Sequence, residues 1–396
     1  MISNPTLVEL TKSHQTPFYI YNGNVIENQY KEIQKAFNNC KEFQVNYAVK
    51  ALSTIGVLQF IQKLGASADT VSINEIKLAL LAGFLPNKIS YTPNGASFEE
   101  ITEAINLGVH ITLDNLYQIE KYAQLNSKKA IGIRINPVII AGGNDKIIVA
   151  NKESKFGISL DKINQIKVLI KNNGLKIDGF HIHLGSDILN MDSFKKSASV
   201  LFSVAKQFND LKFINFGGGF KVKYKADDDF MDIKAVGEQL TDHFNEFQKT
   251  YKNSLKLIIE PGKFLVSNSG LFISEITTIK DGNVFVNSGF NHFIRPMYYN
   301  AYHHIRNISN TEKTVEKFNI VGTICEQDTF GENRIIGNPK VGDIICMENA
   351  GAYCFSMASN YNSRLKPMEL FYYNNETKVI RKREVFENLL ENQVYD

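Results

Sequence analysis

The sequence predicts an α/β chain: a parallel (β/α)8 barrel of the TIM type, followed by an all-β domain. From about residue 43 to 262, short β-branched runs alternate with amphipathic helical stretches, the rhythm of successive βα units. After about residue 270 the helical period fades, and strands linked by turns take over.

The elements follow in order. Before residue 25, FYIYN reads as a strand that pairs with the later β domain. The barrel then occupies 25–268, inserted between 1–24 and 269–396, and these outer parts make a Greek-key-like β-barrel or sandwich. The eight barrel strands are VNYAVKA near 45, SADTVS near 67, KISYTP near 88, HITLD near 110, AIGIRIN near 130, KIDGFHIHLG near 176, FINFGGG near 213 and LKLIIEPG near 255. Between them, TIGVLQFIQKLG, INEIKLALLAGF and SFEEITEAINLGV space apolar residues at three and four and begin near Ser, Thr or Asn caps. In the β domain, LFISEITTIK, NVFVNSG, KFNIVGTIC, DIICMEN and ELFYYN read as strands.

Composition narrows the function. The 44 Lys and Arg nearly balance 41 Asp and Glu, so no strong field attracts nucleic acid or a membrane surface. The four cysteines lack C-x-x-C spacing, which argues against a disulfide framework or a zinc site and fits a reducing cytoplasm. No run approaches the roughly 18 apolar residues of a membrane helix, and the N-terminus lacks a signal pattern, so Met1 reads as the true start.

In such a barrel, functional side chains belong at the C-terminal ends of the strands. Lys50 closes the first strand, Asp69 and Ser72 the second, His183 and Ser186 the sixth, Gly217, Gly218 and Gly219 the seventh, and Glu260 and Gly262 the eighth. An amine in a barrel mouth is a nucleophile suited to imine formation. Three glycines let bare backbone approach a phosphate, and Ser186 can add a hydroxyl there. His183 can lie against a flat ring. Glu260, before the Pro261–Gly262 turn, can pair with a pyridinium nitrogen and keep a pyridoxal ring an electron sink. In the β domain, Arg295 precedes several aromatics, a composition suited to gripping a carboxylate, while Cys325, Glu326 and Tyr353 sit at loop positions. Taken singly, each residue has a plainer reading: a solvated lysine, a glycine turn, a buried acid, a surface ion-pairing arginine, or, for His181, a satisfied core histidine.

Together YAVKAL, HIHLGS, GGGF, EPG, CE and GAY, in this order, resemble the alanine racemase-like, fold type III pyridoxal-phosphate decarboxylases over nearly the whole chain. GAYCFSMASNYNSRLKP at 351–367, with SKFGI at 154–158 and the RP beginning at Arg295, resembles the diaminopimelate decarboxylases within that group. The resemblance implies that Lys50 holds pyridoxal 5'-phosphate as a Schiff base, His183 stacks on the ring and Glu260 pairs with its nitrogen. It implies phosphate ligands at Ser186, Gly217, Gly218, Gly219 and Tyr353. Asp69, Gly262 and Lys263 complete the expected cofactor set. Arg295, Tyr299, Glu326, Tyr353 and Lys263 would bind substrate, and Cys325 would donate a proton.

The implied reaction converts meso-2,6-diaminopimelate to L-lysine and carbon dioxide. It would occur in a homodimer whose active sites are completed across the interface by Cys325 and Glu326. Two departures from the family pattern stand out. Lys263 replaces the usual arginine after EPG, and C-E-S-G-D becomes Cys325, Glu326, Gln327, Asp328, Thr329. The rivals are a decarboxylase of another basic amino acid, a racemase, which should carry an arginine where Glu260 stands, and an inactive cofactor-binding regulator.

Overall fold

The computed structural model describes residues 2–125, 127, 129–138, 154–183, 185, 191–225, 227–229, 231–312 and 314–395. The chain forms two compact units, one of residues 29–222 and 229–264, the other of 1–28, 223–228 and 265–396. The short segment 223–228 and residues 25–28 therefore group with the strand-rich unit.

The first strand in the chain, β1 (Phe18–Asn22), belongs to the strand-rich unit. The barrel is built from β2 (Phe43–Ala48), β3 (Ser67–Thr70), β4 (Ile89–Tyr91), β5 (His110–Leu113), β6 (Ile131–Asn136), β8 (Ile177–His181), β9 (Phe213–Asn215) and β10 (Lys256–Ile259). A short β7 (Ile158–Ser159) lies beside β6. Every neighbouring pair is parallel, and the β2–β10 and β5–β6 pairings close the ring. All eight barrel strands lie where the apolar runs predicted them.

The helices between them start as their caps require. Ser72, Ser97 and Asn115 accept the backbone N–H groups of Glu75, Glu100 and Gln118 at 3.2, 3.2 and 2.9 Å, satisfying donors that lack an intrahelical partner. Ser72 is thus a helix cap. Thr54 occupies the same position of its helix but makes no side-chain cap bond.

In the strand-rich unit, β11 (Gly270–Lys280) is the long central strand. β12 (Asn283–Val286), β14 (Phe318–Val321) and β15 (Thr329–Arg334) follow on one side. On the other lie β1, β17 (Met368–Tyr373) and β18 (Glu376–Arg381), while β16 (Ile344–Met347) pairs with both β11 and β13 (Ile305–Asn307). β1 runs antiparallel to β11 and parallel to β17 and is buried along its whole length. The N-terminal helix Asn4–Ser13 adds Leu7 to a core with Phe18, Ile20, Ile273, Ile344 and Leu370. Sequence periodicity missed that helix and the strands β13, β15 and β18.

Candidate active site

In the barrel unit, β2 runs directly into the turn Val49–Ala51, which carries Lys50. The EPG turn packs against it. A Cβ on Gly262 would lie 3.1 Å from the Cβ atoms of both Ala48 and Ala51, so a larger residue would press on the turn that carries Lys50. The half-buried Lys50 bears electrostatically on Asp69, His183 and Glu260. Lys263 follows Gly262 and is buried.

Glu260 is buried, and both of its oxygens are engaged. Oε1 accepts from Asn215 Nδ2 at 2.6 Å, and Oε2 lies 3.0 Å from His181 Nε2. Burial pushes this carboxyl up, but His181, Asn215 and the Lys50 charge outweigh burial and hold it below the usual carboxylate range. Asp69, beside Ala48 in the register of β2 and β3, behaves oppositely. Its burial and the Glu260 charge push it well above the usual range, favouring the protonated acid. Two nearby acids are thereby driven to different protonation states.

His183 is a neutral ring. Burial, then the charges of Lys50, Arg134 and His181, push its pKa well down. The Gly218 N–H donates to its Nδ1 at 3.2 Å, so Nδ1 is an acceptor and the ring hydrogen sits on Nε2.

The glycine run is shaped by close approach. Gly217 adopts φ +65°, and a Cβ there would lie 2.5 Å from the Ile182 carbonyl oxygen; one on Gly218 would lie 2.3 Å from that of Glu260. The Gly217 amide donates to Asn215 Oδ1 at 2.9 Å. The amides of Gly217 and Gly218 are therefore used to hold Asn215 and His183 in place, a use of these glycines that spacing did not suggest. Gly219 also lies in the left-handed region, at φ +107°. Ser186 lies outside the described residues.

Three contributors were missed or given another role. Asn215 and His181 support Glu260. For His181 the core reading holds in a specific form, since its partner is the site's carboxylate. Arg134, buried in β6, faces the Phe156 ring at 4.7 Å and feels the charges of Asp114, Glu260 and Asp69. The available signal was one arginine inside the apolar run IGIRIN.

In the strand-rich unit, Arg295 begins the helix Arg295–Tyr299 and is buried, which excludes a surface ion pair. Its guanidinium lies 5.6 and 5.5 Å from the ring centres of Tyr224 and Tyr299 and donates to Tyr224 Oη at 3.3 Å. Tyr353 has φ +57°, a left-handed backbone that costs a non-glycine residue about 1 kcal/mol or more. Cys325 and Glu326 are exposed on the turn between β14 and β15. The carboxylate of Asp328 folds beneath this turn. Burial pushes it up to about 6, against the opposing pull of nearby backbone N–H groups that include those of Ile324, Gly322 and Phe290. A Cβ on Gly322 would meet Asp328 Oδ2 at 1.9 Å. Asp328 thus lies buried against the inside of the CEQDT turn.

The family model described as "Pyridoxal-dependent decarboxylase, pyridoxal binding domain" matches residues 24–267. A diaminopimelate decarboxylase of Methanothermobacter thermautotrophicus is 31% identical over 99% of this chain and 95% of that relative. One from Helicobacter pylori is 34% identical over 96% of each. The chain belongs to the diaminopimelate decarboxylase family. Among solved structures, the family's H. pylori enzyme, complexed with L-lysine, superposes with a TM-score of 0.90 at 33% identity, covering 97% of this chain and 98% of that one.

Family membership makes pyridoxal 5'-phosphate the cofactor, and the barrel residues suit it. A primary amine stands at Lys50, bare glycine backbone at Gly217 and Gly218 packs where a Cβ would strike the Ile182 and Glu260 carbonyls, and an ionised, doubly supported carboxylate lies at Glu260. Among the described residues no group of His, Cys, Asp or Glu side chains could hold a metal ion, and no helix is long and apolar enough to cross a membrane.

Proposed function

We propose that the protein removes one α-carboxylate from meso-2,6-diaminopimelate, giving L-lysine and carbon dioxide, the last step of lysine biosynthesis. The observation that carries this reading is Glu260, held ionised by two buried side chains. A carboxylate there is what an electron-sink ring requires, and an electron sink is what decarboxylation requires.

When bound, pyridoxal 5'-phosphate accepts the electron pair left as the carbon–carboxylate bond breaks. The chain's residues do the rest. Lys50 holds the cofactor covalently through its amine, and Glu260 accepts the ring N–H. Neutral His183 would stack on the ring, and Asp69, favoured as the protonated acid, would be a further cofactor contact. Gly217, Gly218 and Gly219 shape the phosphate cradle, with Ser186, Gly262, Lys263 and Tyr353 as further contacts. Arg295 grips the distal carboxylate with Tyr299, and Glu326 takes the distal ammonium. Cys325 delivers a proton to the α-carbon.

This reading assigns the cofactor to a barrel domain of 25–268 and the remainder to the β domain, a division supported by the family match over 24–267. It also makes the protein a cytoplasmic homodimer in which Cys325 and Glu326 act in the barrel of the partner subunit. The exposure of both residues and the four free thiols support this. The test is to supply the purified, cofactor-loaded protein with meso-diaminopimelate, ornithine and arginine separately. Carbon dioxide and lysine from the first alone are expected, and release from ornithine or arginine instead would assign another substrate.

A further inference from the structure

Cys325 and Glu326 are exposed, so packing does not fix their side chains. A second segment of the same unit fixes them instead. Arg364 donates to the Thr323 carbonyl at 2.9 Å. Asn362 Oδ1 accepts the Cys325 backbone N–H at 3.0 Å, and Asn362 Nδ2 lies 3.1 Å from Cys325 Sγ. Tyr361 Oη donates to Glu326 Oε1 at 2.7 Å, while its ring stacks on Phe290 with centres 5.4 Å apart. Asn362 reaches the turn from φ +55°, a left-handed conformation that asparagine tolerates better than most residues.

The orientation of the Asn362 amide follows from donor chemistry. A backbone N–H can only donate, so the oxygen must face it and the NH2 must face the sulfur. The sulfur is then an acceptor, and the thiol hydrogen must point away from Asn362. As Cys325 passes its proton to the substrate carbon, the S–H bond breaks, a C–H bond forms and the sulfur is left negative. A hydrogen bond to an ionised acceptor is roughly twice as strong as one to a neutral acceptor, so the Nδ2–H contact tightens as the proton leaves. Solvent later returns the proton to sulfur.

We propose that Asn362 is a positioning residue for the proton-transfer step, orienting the Cys325 thiol and stabilising the sulfur as it gives up its proton, while Tyr361 sets the direction of Glu326. This rests on Cys325 being the proton donor.

The test uses holoenzyme and two readouts: the rate of iodoacetamide labelling of Cys325, followed on its peptide by mass spectrometry, and the kcat and KM for meso-diaminopimelate. The other three cysteines are buried. Asn362→Asp keeps the oxygen that holds the Cys325 backbone but removes the donor at sulfur. Labelling at pH 8 and kcat should each fall about tenfold, with KM little changed. Tyr361→Phe removes a hydroxyl that bonds Glu326 and also lies 4.0 Å from Cys325 Sγ, a longer contact than the 3.1 Å from Asn362; it should raise KM about fivefold and slow labelling far less than Asn362→Asp does. Wild-type labelling in Asn362→Asp, or labelling slowed equally by Tyr361→Phe, would overturn the proposal. Cys325→Ala separates the two claims, because wild-type turnover in that variant would remove the proton-donor reading, whereas the labelling comparison judges the Asn362 contact by itself.

Discussion

His181 Nε2 lies 3.0 Å from Glu260 Oε2, with both side chains buried in the barrel and Asn215 closing on the other carboxylate oxygen. The acid at the end of β10 is therefore held as an anion before any ligand arrives. Asn215→Ala should leave Glu260 Oε1 without its donor, and an unsatisfied buried charge costs about 1–3 kcal/mol or more. Glu260 would then bind its proton at higher pH. The expected result is a kcat at least about tenfold lower, with the acid limb of the kcat–pH profile moved to higher pH; an unchanged profile would detach Asn215 from Glu260.

A methyl group on Gly218 would sit 2.3 Å from the Glu260 carbonyl oxygen, a backbone atom with little room to yield. Overpacking of this kind costs about 1–3 kcal/mol. Gly218→Ala should weaken pyridoxal 5'-phosphate binding about tenfold or more in a fluorescence titration, and circular dichroism should show the fold retained.

The barrel was legible because each of its strands is a short apolar run bounded by a helical period, and the site because Lys50, His183, Gly217 and Glu260 fall at or just past strand ends. The residues that read poorly share a physical cause. Arg134 and Asn215 lie within strands, where spacing cannot tell a site-facing side chain from one that faces the helices. The run TFGENR of β15 lacks apolar alternation because only its adjacent residues Phe330 and Gly331 are buried. Asn362 was visible as part of a string, but its contact with Cys325, 37 residues away, exists only in three dimensions.

His292 gives the strand-rich unit a pH dependence. Its Nε2 faces the Leu365 carbonyl at 3.0 Å, so it carries the hydrogen there, and Nδ1 accepts from Ser288 Oγ at 3.1 Å. Burial pushes its pKa down to about 4. A histidine depressed by folding stabilises the fold above its ordinary pKa and loses that contribution as pH falls toward 4. The loss is on the order of 3 kcal/mol. Denaturant midpoints of wild type should drop between pH 6.5 and 4 more steeply than those of His292→Gln.

Asp328 has the opposite sign. Its folded pKa, about 6, lies above the ordinary carboxylate value, so its contribution is full below that ordinary value and is lost as pH rises through 6. Relative to wild type, Asp328→Asn should gain on the order of 2 kcal/mol between pH 4 and pH 7, read from urea unfolding at the two pH values. A constant difference would show that the carboxyl does not titrate in this window.

The central claim is that this barrel breaks a carbon–carboxylate bond and returns a solvent-derived proton to the same carbon. The most direct measurement is the reaction of meso-diaminopimelate with the cofactor-loaded protein in D2O, with carbon dioxide trapped and the amino-acid product examined by NMR. One carbon dioxide per L-lysine, with a single deuterium on the ε-carbon, is the predicted result. Deuterated diaminopimelate that keeps both carboxylates, with no lysine formed, would contradict it.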